Sequence, residues 1–248
     1  MKAPVSRREF LAYASIFDWI PFLRPHHVSL AGARFRIIRN GGTKRHYLLI
    51  HGDEETARDV LLYHMRSREG TAFVIETHTR NIQVAGGEID PNRMFSRSGA
   101  EASLRRLNPD WMPERIEAAL RVLDAGREKL VHAFFPPPGG LLIALHNNSE
   151  AYSVLDEEPA SDAGSLRERG NPHAFYLCSR EDDFRVLATS PYNVVLQKKP
   201  TGTSAAPDDG SLSRLAAARG VRYVNLEVAL GHADRQGEML DWLDWNLP

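Results

Sequence analysis

Two short apolar runs constrain the fold of this chain more than any other feature. Residues 47–50 and 141–145 contain no charged side chain, and each run is followed directly by a histidine. Runs of this length are too short for a buried helix and are typical of strands covered on both faces of a parallel sheet. The sequence therefore predicts an α/β fold: a single domain with a mixed, mostly parallel central sheet flanked by helices.

Further elements are predicted from apolar periodicity and turn residues. Residues 33–39 and 45–50 are typical of two strands joined as a hairpin through Gly41-Gly42. Pro113 begins the most regular helix, over residues 113–131, because proline is favoured at the first helical position. Residues 149–171 are polar and contain scattered glycine, serine and proline, which predicts a long loop that acts as a lid or a mobile surface segment.

Charge and cysteine content exclude several classes of protein. Lysine plus arginine number 31 and aspartate plus glutamate 32, so no large field favours nucleic acid or an anionic membrane surface. A single cysteine, Cys178, excludes an internal disulfide framework and a multi-cysteine metal site. No stretch approaches the roughly 18 consecutive apolar residues that a membrane span requires. We therefore expect no nucleic-acid partner and no integral membrane span.

Residues 1–32 are predicted to form a segment distinct from a catalytic domain over residues 33–248. Ser6-Arg7-Arg8-Glu9-Phe10-Leu11 matches the twin-arginine export pattern, and a moderately apolar run follows it. The alternative is an amphipathic helix packed on the domain, with one apolar face made of Phe10, Tyr13, Phe17 and Ile20. The first interpretation predicts an exported, periplasmic protein, and the second is equally compatible with the cytoplasm.

The two histidines that follow the apolar runs are candidate metal ligands. His51-Gly52-Asp53-Glu54 lies where the first predicted strand gives way to an amphipathic helix, and His146 ends the second strand. If both strands are central and parallel, these side chains meet at the sheet edge where open α/β folds bind ligands. Two imidazoles and one carboxylate, with one position open, are typical of a catalytic zinc site. We predict one zinc ion on His51, Glu54 and His146, although each histidine taken singly is also compatible with a packing role.

Glu227 is a candidate general base. It lies in the predicted strand 221–230, where Val224, Leu226 and Val228 share one face and Asn225 and Glu227 share the other. A glutamate in such a strand is costly to bury unless it is paired or used chemically. A salt bridge to an arginine is the alternative interpretation, and a base that activates water is the functional one.

Two arginines are candidates for substrate recognition and for catalysis. Arg93 belongs to Asp90-Pro91-Asn92-Arg93, a turn that presents a guanidinium group to a carboxylate. Arg80 follows a predicted strand and is placed to stabilise an oxyanion. For both, an ordinary surface position is the alternative, and for Arg80 it is the favoured one.

Four of these motifs, in this order along the chain, resemble the zinc carboxypeptidase superfamily, and most closely its aspartoacylase and succinylglutamate desuccinylase branch: His51-Gly52-Asp53-Glu54, Asp90-Pro91-Asn92-Arg93, Leu145-His146-Asn147-Asn148 and Leu226-Glu227-Val228. The resemblance spans about residues 33–230. It implies zinc on His51, Glu54 and His146, a substrate carboxylate on Asn92 and Arg93, Glu227 as general base and, by position alone, Arg80 at the oxyanion. The chain departs from the family at Asp53, where asparagine is commoner, and at Ala144, where that branch usually has an acid.

The implied reaction is hydrolysis of an amide bond next to a free carboxylate, as in a metallocarboxypeptidase or an N-acyl amino acid deacylase. The substrate is then a peptide or an N-acyl amino acid, and an exported enzyme would favour a cell-wall peptide. A catalytically inactive pocket that binds peptide carboxylates is the main alternative. A metal phosphoesterase would require a second metal and more carboxylates at strand ends than the sequence offers.

Overall fold

The structure is a computed structural model that describes residues 26–149, 151–158, 161–197 and 208–248. Its strands in chain order are β1 His27–Leu30, β2 Ala33–Asn40, β3 Arg45–Leu49, β4 Gly70–Ile75, β5 Ile82–Val84, β6 Gly87–Ile89, β7 Leu141–Asn148, β8 Ser161–Ser165, β9 Phe175–Cys178, β10 Asn193–Gln197 and β11 Arg222–Ala229. Its α-helices are α1 Glu55–His64, α2 Arg97–Leu107, α3 Pro113–Phe134, α4 Val154–Glu157, α5 Glu181–Leu187, α6 Leu212–Arg219 and α7 Ala233–Asn246.

A nine-stranded sheet in the order β1-β2-β4-β3-β7-β11-β9-β10-β8 organises the described residues. The four adjacent strands β4, β3, β7 and β11 run parallel at its centre. Strands β1 and β8 share their direction, whereas β2, β9 and β10 run the opposite way. The predicted α/β domain, with a mixed and mostly parallel sheet flanked by helices, is confirmed.

Alternating side chains divide the core between the two faces of the sheet. On β7, Leu142 and Ala144 pack in one apolar cluster with residues of α2, α3 and α6. Leu141, Ile143 and Leu145 pack in the other cluster, with residues of α1 and α7. Because both faces are covered, β7 is apolar on both sides, which explains why its sequence shows no alternation.

The predicted hairpin of β2 and β3 is wrong. Strand β4 lies between them, antiparallel to β2 and parallel to β3. The turn at Gly41-Gly42 therefore leads to a strand position one place further across the sheet. The prediction failed because turn residues report a chain reversal and carry no information about which strand later fills the space beside it.

Residues 149–171 are more ordered than the predicted loop. Within their described parts, α4 is capped by Ser153, whose Oγ accepts from the backbone NH of Leu155 at 3.3 Å, and β8 pairs with β10 as the outermost strand. The polar composition suits an edge strand with partly exposed side chains.

Of the segment predicted over residues 1–32, residues 1–25 lie outside the described residues, including the twin-arginine pattern and the proposed helix face. Strand β1, which follows them, pairs with β2 ahead of the predicted domain start at residue 33. No helix in the described ranges has both the length and the apolar composition to cross a bilayer.

Candidate metal centre and active-site cleft

The carboxyl ends of β3, β7 and β11 open into a cleft of about 640 Å³. These strands are parallel neighbours, so the residues that follow or end them lie side by side. His51 follows β3 and Glu54 precedes α1, whereas His146 and Glu227 lie within β7 and β11 as direct cross-strand partners. All four side chains line the cleft and are buried.

His51, Glu54 and His146 form one compact cluster. Nδ1 of His51 lies 2.9 Å from Oε1 of Glu54, and Nδ1 of His146 lies 3.2 Å from the same oxygen. One potential ligand atom from each residue lies within 4.8 Å of the other two. The three predicted ligands therefore converge, and together they could hold a metal ion.

The chemistry of this cluster fits a metal such as zinc. Glu54 Oε2 is buried and accepts no hydrogen bond of acceptable geometry within the described structure, although His146 Nδ1 lies 3.1 Å away. A carboxylate oxygen left in this state is costly without a cation. Two imidazole nitrogens and this carboxylate supply the three protein ligands usual at a catalytic zinc site.

Asp90 orients His51, a contact that the sequence analysis missed. Its Oδ1 lies 2.9 Å from His51 Nε2, on the side of the ring opposite Glu54. A carboxylate in this position holds the ring and directs Nδ1 toward the cluster. Asp90 also begins the short 3₁₀ turn Pro91–Arg93, because its Oδ1 accepts from the backbone NH of Asn92 at 2.8 Å. The local sequence carried no signal of the contact with His51.

The ionisable groups of the cluster strongly shift one another's pKa values. Burial favours the neutral form of His51, but the charge of Glu54 and hydrogen bonds with Asp90 and Glu54 raise its pKa to about 9. Burial likewise opposes ionisation of Glu54, but the charges of His146 and His51 lower its pKa to about 2. Protons and a metal ion therefore compete for the same nitrogens, since a metal binds neutral imidazole.

Glu227 is buried beside this cluster and has a different environment. Burial is the largest influence on its carboxyl group and raises its pKa, against the opposing charge of His146. Nδ2 of Asn225 donates to Glu227 Oε1 at 2.9 Å. The salt bridge to an arginine that the sequence left open is not observed within the described residues.

Arg80 lies at the rim of the metal cluster. Its side chain is half exposed, with Nη1 3.5 Å from Glu54 Oε1 and Nη2 3.9 Å from Asp90 Oδ2. The guanidinium group also lines the cleft. It is thus close enough to the cluster to interact with a negative charge that develops there.

Asn92 and Arg93 line the cleft and are held by the start of α6. Asn92 Oδ1 accepts from the backbone NH of Leu212 at 3.1 Å, which fixes the amide with its oxygen toward α6. Arg93 Nη1 donates to Asp209 Oδ2 at 2.7 Å, and both side chains are partly exposed. A carboxylate of the protein itself thus already occupies the arginine predicted to bind a substrate carboxylate.

The remaining walls of the cleft come from residues that the sequence analysis did not single out. Tyr152 Oη donates to Glu157 Oε1 at 2.7 Å, on the segment around α4. Gln197 of β10 and Arg214 of α6 line the side away from β3. No local motif marks these positions, because they enter the cleft only through the order of the outer strands.

Comparison with known proteins gives distant structural similarity alone. No family model matches the chain, and no curated protein matches it. Crystal structures of two proteins described as candidate metallopeptidases, from Shewanella denitrificans OS217 and Shewanella amazonensis SB2B, each align with 11% sequence identity and a TM-score of 0.39. Each alignment covers 89% of this chain, with 82% of the first protein and 85% of the second. Similarity at this level is remote, so the function is inferred below from the side chains of the cleft.

Proposed function

We propose that this protein is a zinc-dependent hydrolase that cleaves an amide bond next to a free carboxylate. The observation that carries the proposal is the convergence of His51, Glu54 and His146 beside the buried carboxyl group of Glu227. These residues come from three separate parts of the chain, and they meet in one cleft that is open to a substrate.

One zinc ion would be held by His51, Glu54 and His146, with Asp90 orienting His51. When bound, zinc supplies Lewis acidity, which polarises a carbonyl group and lowers the pKa of water toward neutrality. Zinc is favoured over magnesium or calcium because imidazole nitrogen is a poor ligand for those ions, which prefer oxygen.

Glu227 is the proposed general base. Its carboxylate accepts a proton from the attacking water and returns it to the nitrogen of the leaving amine. A raised pKa suits this role, since a base works best when its pKa approaches the operating pH. The hydrogen bond from Asn225 holds one carboxylate oxygen and thereby limits rotation of the group.

Arg93 and Asn92 are proposed to bind the free carboxylate of the substrate. The substrate carboxylate would replace Asp209 at the Arg93 guanidinium, a modest cost because an exposed ion pair contributes only about 0–1 kcal/mol. Arg80 is proposed to stabilise the oxyanion of the tetrahedral intermediate from its position at the rim of the cluster.

The proposed substrates are peptides cut at their carboxy-terminal residue or N-acyl amino acids. Both present an amide close to a free carboxylate, which fits a cleft lined by both the metal cluster and Arg93. The zinc carboxypeptidase superfamily, with its aspartoacylase-like branch, is the family we propose for residues 33–248. An export signal in residues 1–32 would make a cell-wall peptide the favoured substrate.

A panel of peptides and N-acyl amino acids, each as the free acid and as the amide, tests the proposal on zinc-loaded protein. We expect hydrolysis of free acids, with kcat/KM at least about tenfold lower for amidated partners. Glu227→Gln should retain zinc and lose about 10²- to 10⁴-fold in kcat. Stoichiometric zinc without turnover of any substrate would instead favour a pocket that binds carboxylates, and equal rates for Glu227→Gln and wild type would remove Glu227 from the mechanism.

A further inference from the structure

Three buried oxygen acceptors lack a hydrogen-bond partner within the described residues, and all three belong to residues that line the cleft: Glu54 Oε2, Asn148 Oδ1 and Asn225 Oδ1. The metal cluster accounts for the first. A buried acceptor without a donor is costly, so the amide oxygens at the other two positions require an explanation. Asn225 is the more informative of the two, because the neighbouring residues of the cleft indicate what kind of group could contact its oxygen.

Asn225 lies deeper in the cleft than Glu227 on the same face of the sheet. The two residues are separated by one position on β11, which places them about 6–7 Å apart along the strand. Asn225 is 8% exposed, and its Nδ2 donates to Glu227 Oε1, so its Oδ1 is directed away from Glu227. Its neighbour on β9 is Leu177, which also lines the cleft.

The adjoining wall carries a guanidinium group in contact with a neutral amide. Gln197 is 3% exposed on β10, two residues beyond Val195, the register partner of Leu177. With its amide oriented to satisfy both ends, Gln197 donates to Ser213 Oγ at 2.9 Å and accepts from Arg214 Nε and Nη1 at 3.3 Å each. The amide acceptor on β11 and the guanidinium donors on α6 therefore line the same cleft, with β9 and β10 between them in the strand order.

We infer that this part of the cleft recognises a carboxamide side chain, of the glutamine or asparagine type, on the substrate residue that carries the free carboxylate. The inference rests on the proposed function, because that function places the scissile amide at the metal cluster and the adjoining side chain along β11. A carboxamide NH₂ satisfies Asn225 Oδ1, and its oxygen meets the Arg214 guanidinium. A carboxylate would also pair with Arg214, but it has no donor for Asn225 and would lie near the carboxylate of Glu227. An ammonium group would meet the positive charge of Arg214.

The test compares peptides that differ only in their last residue: glutamine, glutamate, methionine and lysine. Methionine matches glutamine in length and lacks both hydrogen-bonding groups. We expect kcat/KM for the glutamine peptide to exceed that for each of the others by about 10- to 100-fold. In Asn225→Leu the ratio of glutamine to methionine should fall to near one. Because both substrates share any loss caused by the missing bond to Glu227, that loss cancels in the ratio.

Asn148→Leu is the matched control. Asn148 is also a buried cleft asparagine with an unpartnered oxygen, but it ends β7 at the mouth of the cleft, and its Nδ2 donates to the carbonyl of His173 at 2.8 Å. We expect this variant to keep the glutamine preference. A preference that survives in Asn225→Leu, or disappears in Asn148→Leu alone, would overturn the assignment.

Failure of this inference is distinguishable from failure of the proposed function. Hydrolysis of all four peptides at similar rates, or a preference for glutamate, lysine or methionine, overturns the carboxamide pocket and leaves the hydrolase intact. If no peptide is cleaved, calorimetric titration of the zinc-loaded protein with free glutamine and free methionine supplies the readout. Tighter binding of glutamine, lost in Asn225→Leu, supports the pocket, and equal or absent binding of both rejects it.

Discussion

Each end of the central strands contains a buried carboxylate next to a histidine. The two carboxylates differ in whether both of their oxygens are hydrogen-bonded. At the amino-terminal end, Asp244 of α7 accepts from Tyr47 Oη at 3.0 Å and contacts His64 Nε2 at 2.8 Å and Arg45 Nη1 at 2.6 Å. At the carboxyl end, Glu54 keeps an oxygen without a hydrogen bond from the described residues. Both oxygens of Asp244 contact donors of the protein, whereas the cleft keeps acceptors that the proposed metal ion and substrate would satisfy.

This difference separates a polar cluster whose acceptors are hydrogen-bonded from one that keeps acceptors without a partner. Both are buried, and both contain histidine and carboxylate within hydrogen-bond distance. Asp244 ties α7 to α1 and β3, and nothing in its surroundings is left without a partner within the described residues. Unpartnered acceptors occur instead on residues that line the cleft.

The largest expected effect is a loss of zinc affinity when a histidine of the metal cluster is replaced, with no such loss when a histidine of the Asp244 network is replaced. His146→Ala should lower zinc affinity by more than about 100-fold, because it removes a proposed ligand rather than a group that merely orients one. His64→Ala is the matched control, since His64 is equally buried and also contacts a carboxylate. Elemental analysis of both variants after dialysis measures the difference. Comparable zinc content in the two variants would contradict the assignment of His146 as a zinc ligand.

The second effect concerns stability. Asp244→Ala should lower the free energy of unfolding by about 3–5 kcal/mol, because it leaves Arg45, Tyr47 and His64 without their shared acceptor. Asp241→Ala on the same helix is the control, and its exposed carboxylate should contribute no more than about 1 kcal/mol. Denaturant titration of the folded variants measures both, and equal losses would show that the Asp244 network is no more important than a surface pair.

The pH dependence of stability is a second test of the Asp244 network. Burial opposes ionisation of Asp244, but the hydrogen bond and charge of His64 and the charge of Arg45 hold its pKa below the ordinary value. A carboxylate whose pKa is lowered on folding stabilises the protein above the unfolded pKa of about 3.9, and that contribution is lost as pH falls through the folded pKa. The stability difference between wild type and Asp244→Ala should therefore shrink below about pH 4. A difference that stays constant from pH 7 to pH 3 would contradict this account.

The smallest expected effect lies at the cleft rim. Asp209→Asn should raise kcat/KM for substrates with a free carboxylate by up to about fivefold, because it removes a competitor for Arg93 worth about 0–1 kcal/mol. Amidated substrates should not respond. Asp208→Asn is the adjacent control, since Asp208 accepts from Ser98 Oγ rather than from an arginine. A decrease with free-acid substrates would show that Asp209 assists binding instead of competing with it.

Local sequence signals predicted many elements closely. Pro113 marked the first residue of α3, which was predicted to end at residue 131 and ends at Phe134. The apolar run that predicted β7 starts at its first residue, but the strand continues through His146 to Asn148. Those last residues are polar because they enter the cleft, so an apolar criterion could not include them. The error in the predicted boundary therefore falls at the carboxyl end of β7, which enters the cleft.

The contacts that build the cleft were less predictable. Asp90 with His51 and Asp209 with Arg93 join side chains separated by many residues. Neither pair has a local pattern, because charged residues at turns are common whether or not they meet a partner. The error over β2 and β3 has the same origin: strand order depends on which elements cover each face of the sheet.

Local sequence patterns were sufficient to predict the α/β class, the central strands and the positions at which histidine and glutamate side chains follow or end them. Those features depend on local periodicity and on the solvation of each residue, which act over a few positions. Tertiary packing was needed to make β3, β7 and β11 neighbours and to bring Asp90 to His51 and Asn225 beneath Glu227. Distances between such residues follow from the packing of whole strands and helices, which no short stretch of chain contains.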